Sequence, residues 1–469
     1  MSSTIEIALP CGPIKASRID DNLMHARGIP YATAKRFETP QPTHQWTNPI
    51  DCTTRAALCP QLPSRLESVM GPLTQGHSMD EDCLTVSVTA PENAKNAPVL
   101  VWLHGGAYIS GGGDLDCYRP SGLAERGVVC VNVTYRLGVF GYLQIDGIAP
   151  ANLGLLDQIA ALRWIQSNVG VFGGDCGNVT VAGQSAGGDS IVCMMVAEGT
   201  SGLFHRAILM SPPLGELPGR TETETLLSEK AKSLLTKDPR EMTTAELLEL
   251  QKKLLLSPVQ RRIMLFAPSF GAYPLPKEDE LDQKILDAAK NIPILAGWTA
   301  HDGRPFASMI GPLCSQYRIS YVGWFLEALG TWYMTRTYFS LPSQQLHERL
   351  VHAGCASTTY SFEWSAHDNP LKACHTIDVP FVLGCRDSWA RAPMLQGRNV
   401  EDEISRLGEE VRNLLTAFVN GRRLKREHIA IGKDFVTSDS MFIDAYQMTG
   451  ILRDIVKGSS NSGMKLVII

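Results

Sequence analysis

The 469-residue sequence lacks several patterns that mark whole classes of protein. No uninterrupted apolar run reaches the roughly 18 residues that a membrane-spanning helix needs. The formal net charge is -5, and no basic stretch with interleaved aromatic residues is present, which argues against a nucleic-acid-binding protein. The 12 cysteines show neither Cys-x-x-Cys nor a Cys/His spacing typical of metal sites, so we expect no metal and no other cofactor.

The amino-terminal segment also lacks a basic region followed by a long apolar core. It is more typical of a first strand than of a signal peptide. This favours a cytoplasmic location, although a mature secreted form would look the same. No internal repeat, low-complexity tract or linker interrupts the chain, so we expect one large domain over residues 1–469. The sequence does not indicate an oligomeric state.

Apolar, β-branched runs that end in small-residue turns recur along the chain. Helical periodicity lies between them, as in residues 154–174, where Leu155, Ile159 and Leu162 share one face. Strands that alternate with helices predict an α/β fold around a largely parallel sheet. The expected buried strands are residues 98–106, 127–136, 178–183, 206–211 and 292–298.

Two stretches interrupt this alternation. Residues 221–260 are rich in leucine, glutamate and lysine, and residues 318–340 are rich in aromatic residues. We therefore expect helical insertions at about 215–265 and 310–350, over one end of the sheet. The aromatic residues have two open interpretations, the wall of an apolar pocket or the packing core of an inserted helix.

The segment "NVTVAGQSAGGDSIVCMMV" places Ser185 between a β-branched run and a helical pattern. A nucleophilic serine at such a junction needs a strained turn that exposes its hydroxyl, and side chains two positions away on either side would collide there. Gly183 and Gly187 occupy those two positions. The pattern predicts a nucleophile, and the alternative is a glycine-rich corner with a buried serine.

A second strand runs directly into the small-residue turn "HGGA", residues 104–107. A nucleophilic serine requires backbone N–H donors for the negative charge that develops on the substrate oxygen. A loop of this kind is associated with such sites. The alternative is another tight turn without a catalytic role.

These motifs occur together with "EDCLTV", "VNVTYRLGVFGYL" and "LFHRAILMS", in this order along the chain. The set resembles the type-B carboxylesterase/lipase family, which includes the cholinesterases. The resemblance is dense up to residue 211 and sparse in the second half. It implies an α/β-hydrolase fold, with a large, mostly parallel, twisted central sheet flanked by helices and with helical insertions over the active-site end.

The resemblance also implies a serine–acid–histidine triad in that chain order. The acid is expected at Asp302 in "ILAGWTAHDGRPF", where the family usually has glutamate, and the histidine at His375 in "KACHTIDVPFVLG". His301 is the competing histidine. Because it is adjacent to Asp302 along the chain, its side chain is expected to point elsewhere. Ser185 would be the nucleophile, His375 the base and Asp302 the group that orients the ring.

Further site residues follow from the same resemblance. The backbone N–H groups of Gly106, Ala107 and Ala186 would hold the oxyanion, with Ala107 standing where the family usually has a third glycine. Cys59 and Cys83 match the family's first disulfide. A protein of the cytoplasm would leave that pair reduced.

Two departures from the cholinesterases bear on the substrate. Residues 60–82 contain no tryptophan, tyrosine or phenylalanine for cation–π binding of a quaternary ammonium group, and Gln184 replaces the usual acid before the nucleophile. We therefore expect a serine hydrolase that cleaves neutral, apolar carboxylic esters through an acyl-serine, and not choline esters.

Two alternatives stay open at this point. One is an acyltransferase or lactone-forming enzyme that uses the same acyl-serine. The other is a non-catalytic cholinesterase-like binding module, against which the intact Ser185 and His375 argue.

Overall fold

The computed structural model describes residues 3–19, 22–257, 262–309, 321–384, 386–398, 400–422, 424 and 427–434. The strands of this part of the chain are β1 (Thr4–Leu9), β2 (Gly12–Ile19), β3 (Leu23–Pro30), β4 (Ala32–Thr33), β5 (Gln41–Pro42), β6 (Ile50–Asp51), β7 (Thr85–Pro91), β8 (Ala97–Leu103), β9 (Val129–Val133), β10 (Gly174–Gln184), β11 (Arg206–Met210), β12 (Ile294–Thr299), β13 (Ser357–Phe362) and β14 (His428–Ile431).

Twelve of these strands form one sheet, in the order β1-β2-β3-β7-β9-β8-β10-β11-β12-β13-β14, with β6 paired to β2. The pairs from β1 to β9 along this order are antiparallel. All pairs from β9 to β14 are parallel. β4 and β5 form a separate two-stranded sheet. The architecture is therefore the mostly parallel α/β sheet that the alternating pattern predicts.

Helices flank the sheet and carry the chain between its parallel strands. The α-helices in the described residues are Glu67–Met70, Ser121–Ala124, Gly138–Gly141, Leu153–Asn168, Ala186–Val196, Arg220–Leu234, Thr244–Leu255, Leu281–Ala289, Arg304–Ala307, Tyr321–Met334, Leu341–His352, Val379–Leu383, Arg386–Trp389 and Val400–Val419, and a π-helical turn covers Thr335–Ser340. Within the described residues, no helix is long and apolar enough to span a bilayer.

The central strands are buried on both faces, which is why they are continuously apolar in sequence. Every residue of β8 is buried. Its side chains alternate between two hydrophobic clusters, with Val99, Val101 and Leu103 in one and Leu100 and Trp102 in the other. The two clusters thus lie on opposite faces of the sheet, and the sheet is held between two apolar layers.

The segments expected as insertions consist largely of helices where the structure describes them. Helices Arg220–Leu234 and Thr244–Leu255 fall between β11 and β12, and helices Tyr321–Met334 and Leu341–His352 fall between β12 and β13. Residues 258–261 of the first expected insertion and 310–320 of the second lie outside the described residues. The assignment of residues 1–469 to one domain stays a prediction.

Candidate active site

Ser185 stands at the junction of β10 and the helix Ala186–Val196, with φ 56° and ψ -123°. A positive φ is costly for a residue other than glycine, so the surrounding structure must hold this turn. A Cβ atom on Gly187 would lie 2.1 Å from the carbonyl oxygen of Leu103, and one on Gly183 would lie 2.5 Å from the Gly187 carbonyl carbon. The two glycines are therefore required by the close approach of backbone on both sides of the serine.

The structure brings His375 and Asp302 together from separate loops. Asp302 lies just after β12, and its Oδ1 is 2.7 Å from Nδ1 of His375, with both side chains fully buried. The other carboxylate oxygen of Asp302 accepts the backbone N–H of Thr299 at 2.8 Å. This second bond fixes the position of the carboxylate. The carboxylate in turn accepts the Nδ1 proton of the imidazole, which leaves the Nε2 lone pair available.

The Nε2 atom of His375 contacts the residue before the serine. The amide nitrogen of Gln184 lies 3.1 Å from it and donates to the ring lone pair. Gln184 is buried, and it belongs to the same turn as Ser185. The sequence indicates only that Gln184 is neutral where the cholinesterases usually have an acid, because nothing in local sequence shows that its side chain reaches the histidine.

His301 is largely buried next to Asp302, but its side chain does not belong to the Asp302–His375 pair. Its backbone N–H donates to the carbonyl of Ala373, and its ring Nδ1 has no hydrogen-bond partner among the described residues. Burial lowers the pKa of His301 to about 3, so its ring is neutral at physiological pH. The structure pairs Asp302 with His375 and not with this neighbour.

The glycine loop after β8 packs directly against the serine turn. A Cβ atom on Gly105 would lie 3.0 Å from the Cβ of Ser185. Gly106 has φ 114°, and a Cβ there would lie 2.0 Å from the carbonyl oxygen of Ser110. Ala107 adopts φ 54° despite its side chain. Gly106, Ala107 and Ser185 all line one cleft, so two of the three expected oxyanion donors belong to residues that share this space with the serine.

Behind the glycine loop lies a buried polar network that sequence reasoning missed. The hydroxyl of Tyr108 donates to Asp189 Oδ2 at 2.6 Å, and Arg220 donates to Asp189 Oδ1 at 2.6 Å. Asp189 is in the first turn of the helix that follows Ser185. The network therefore ties the glycine loop to the serine helix and to the first residue of helix Arg220–Leu234.

A second buried acid lies near the Asp302 carboxylate. Asp378 accepts the Tyr360 hydroxyl at 3.1 Å through Oδ2, and its Oδ1 has no partner among the described residues. Burial, with a smaller contribution from the Asp302 charge, raises the pKa of Asp378 to about 7. Asp378 is therefore a candidate to titrate near neutral pH alongside the triad.

The cleft beside Ser185 is narrow and has a cavity volume of about 50 Å³. Most of its wall is apolar, formed by the side chains of Leu66, Met70, Leu73, Leu115, Ile263 and Phe306. No group of three or more potential metal ligands occurs among the described residues. The wall of this cleft suits an apolar group of an organic substrate.

Cys59 and Cys83 are both buried and both free in the structure. The neighbouring Cys59 thiol, together with burial, raises the pKa of the Cys83 thiol well above its usual range. The Cys59 Sγ also accepts the backbone N–H of Leu137 at 3.3 Å. The two thiols are thus neighbours that form no disulfide bond in the structure, and the disulfide that the resemblance implies stays a prediction.

Comparison with known proteins assigns the chain to a family. The profile described as "Carboxylesterase family" matches residues 4–318. A probable N-octanoylanthranilate hydrolase of Rhodococcus erythropolis is 37% identical over 429 residues, 89% of this chain and 93% of that protein. The para-nitrobenzyl esterase of Bacillus subtilis is 33% identical over 442 residues, 86% of this chain and 88% of that protein.

The solved structures agree with this assignment. That of a thermophilic PNB esterase superimposes with a TM-score of 0.79 at 27% identity, covering 96% of this chain and all of the other. The resemblance to the type-B carboxylesterases is confirmed, and so are the expected fold and the class of enzyme. The chain belongs to the carboxylesterase family and is a carboxylic ester hydrolase with an α/β-hydrolase fold.

Proposed function

We propose that the chain hydrolyses carboxylic esters through an acyl-serine intermediate on Ser185. The observation that carries this proposal is the 2.7 Å bond between His375 and Asp302, made by two segments distant in sequence. A buried imidazole held by a carboxylate, with its other nitrogen directed at the serine turn, is the arrangement that activates a serine hydroxyl.

The steps follow from which atoms carry protons. His375 Nε2 exchanges its hydrogen bond from Gln184 for one from the hydroxyl of Ser185, and it takes that proton as Oγ attacks the ester carbon. The imidazolium, stabilised by Asp302, then returns the proton to the leaving oxygen, and the alcohol departs. Water repeats the sequence on the acyl-serine and releases the acid, so that the free hydroxyl is restored.

Backbone donors stabilise the negative charge that forms on the carbonyl oxygen. We assign this role to the N–H groups of Gly106, Ala107 and Ala186. The close packing of the glycine loop on the serine turn supports the assignment, since Gly106 and Ala107 line the same cleft as Ser185, which Ala186 directly follows. The methyl group of Ala107 narrows the space beside the acyl group relative to a third glycine.

The cleft supports an apolar ester body and argues against choline esters. Its described lining contains no aspartate or glutamate, and its one tyrosine, Tyr118, is buried. A quaternary ammonium group would therefore lack both an acid and an exposed cage of aromatic faces. The two relatives named for an octanoylated compound and for a nitrobenzyl ester are consistent with apolar acyl or alcohol groups.

The first experiment is covalent labelling of wild type and Ser185→Ala with a fluorophosphonate, read as intact mass. A single adduct on wild type that is absent from the folded variant supports the proposal. No adduct on folded wild type would overturn it and would favour the non-catalytic binding module.

Product analysis then separates hydrolysis from acyl transfer. A p-nitrophenyl ester is supplied with and without an added alcohol, and the acid and the new ester are quantified. We expect the acid to dominate in both reactions. A new ester as the main product would favour the acyltransferase.

A further inference from the structure

The cleft beside Ser185 carries one charged side chain among the described residues that line it, the guanidinium of Arg65. No carboxylate belongs to that described lining, and the residue before the nucleophile is the neutral Gln184. The cleft therefore has one positive charge on its lining and no negative charge to offset it there. Such a surface attracts an anionic group and repels a cationic one.

Arg65 is anchored without being neutralised. Its side chain is exposed, and one guanidinium nitrogen donates to the carbonyl oxygen of Ile263 at 2.7 Å. No carboxylate forms an ion pair with it among the residues that the structure describes. The buried Glu216 acts on it only through space, and that acid also faces Arg262 and Arg220. One of five N–H donors is used by the carbonyl, so others are available to a ligand.

The position of Arg65 relates it to the leaving group. Ile263, whose carbonyl anchors it, packs against the apolar cluster that contains Phe306 and Phe339. Both rings lie 5.1 Å from the ring of His375. In the proposed mechanism His375 returns its proton to the leaving oxygen. Phe306 lines the same cleft as Arg65, so a leaving group on the His375 side of that cleft shares the space that the guanidinium lines.

We propose that Arg65 binds a carboxylate on the leaving group of the substrate, so that the enzyme prefers esters of carboxylated alcohols or phenols over matched neutral esters. The proposal rests on the ester hydrolysis proposed above. A guanidinium matches a carboxylate through two parallel N–H···O bonds. The expected substrate thus combines an apolar body with one anionic end, and it differs in charge from the neutral ester expected from the sequence.

The test uses two esters of the same shape that differ in charge, 4-carboxyphenyl butanoate and 4-carbamoylphenyl butanoate. The kcat/KM of each ester is divided by its rate constant for alkaline hydrolysis, which corrects for intrinsic reactivity. The concentration of active enzyme is determined by titration with a fluorophosphonate. For wild type we expect a corrected ratio of about tenfold in favour of the carboxylate. Arg65→Gln should bring the ratio to about one. Sodium chloride should lower the wild-type ratio, because salt screens an exposed charge pair.

Arg163→Gln is the matched control. Arg163 is also exposed and also donates to a backbone carbonyl, that of Gly199, but it lies on helix Leu153–Asn168 and does not line the cleft. It should keep the wild-type ratio. A wild-type ratio near one, or an unchanged ratio in Arg65→Gln, overturns the assignment of Arg65 while ester hydrolysis stands. If wild type hydrolyses neither ester and is not labelled by the fluorophosphonate, both proposals are overturned.

Discussion

Replacement of Gln184 by glutamate tests how the neutral amide controls the base. The substitution puts a carboxylate about where the amide nitrogen now lies, 3.1 Å from His375 Nε2. Coulomb attraction to the imidazolium at that distance is about 5 kcal/mol at an effective dielectric constant of about 20, an upper bound for the net effect. Carboxylates this close to a cation shift titrations by roughly 1–3 pH units in proteins. The charged ring is favoured, so the acid limb of the activity profile must move to higher pH.

The assay is the pH dependence of kcat/KM for a neutral p-nitrophenyl ester. For a shift of about 1.5 units, activity at the wild-type midpoint falls from one half of the plateau to about 3% of it. The plateau itself should rise, because the same carboxylate stabilises the imidazolium that forms in the transition state.

Two controls make the result specific. Gln184→Met removes a hydrogen bond that favours the neutral ring but adds no charge, so its limb should move to higher pH by much less than that of Gln184→Glu. Asp378→Asn tests whether the limb belongs to the other buried acid instead, because the pKa of Asp378, about 7, lies in the same pH range. An unmoved limb in Gln184→Glu, or an equal shift in Gln184→Met, would refute the reasoning.

Three further predictions concern the base, a buried acid and the polar network. His375→Ala should lower kcat by about 10⁵–10⁶-fold, whereas His301→Ala should lower it much less. The reverse order in steady-state kinetics would make His301 the base. Burial raises the pKa of Glu224 from 4.5 to about 7. The native protein therefore loses stability as pH rises from 4.5 through 7, and Glu224→Gln should be more stable by about 3 kcal/mol at pH 8 in urea unfolding, with little difference at pH 4. Arg220→Met leaves Asp189 buried without its partner, so we expect a loss of about 3–5 kcal/mol in the same measurement together with reduced kcat.

The part of the fold that could be predicted is the centre of the sheet. The five expected strands correspond to β8 to β12, and they are consecutive neighbours in the order β9-β8-β10-β11-β12. These strands are buried on both faces, so their apolar runs are continuous and easily recognised. β14, with only four residues, carries too short a pattern to be recognised in this way.

The site likewise has a part that could be predicted from the sequence and a part that could not. The serine turn is local, because its glycines and its strand–helix junction lie within one short segment. Asp302 and His375 are 73 residues apart, and only a family resemblance or a structure can pair them. The contact of Gln184 with the histidine and the position of Arg65 in the cleft depend on loops from distant parts of the chain. No periodicity or spacing in the sequence reports such contacts.

The salt bridge of Arg220 with Asp189 has a consequence for how the family's insertions can change. Arg220 begins an expected inserted helix, yet its guanidinium is bound to the first turn of the serine helix. Tyr108, in the glycine loop, shares the same carboxylate. A deletion or exchange of this insertion that discarded the arginine would leave a buried negative charge beside the nucleophile turn. Its length and surface are open to variation, while its first residue is constrained by the reaction centre.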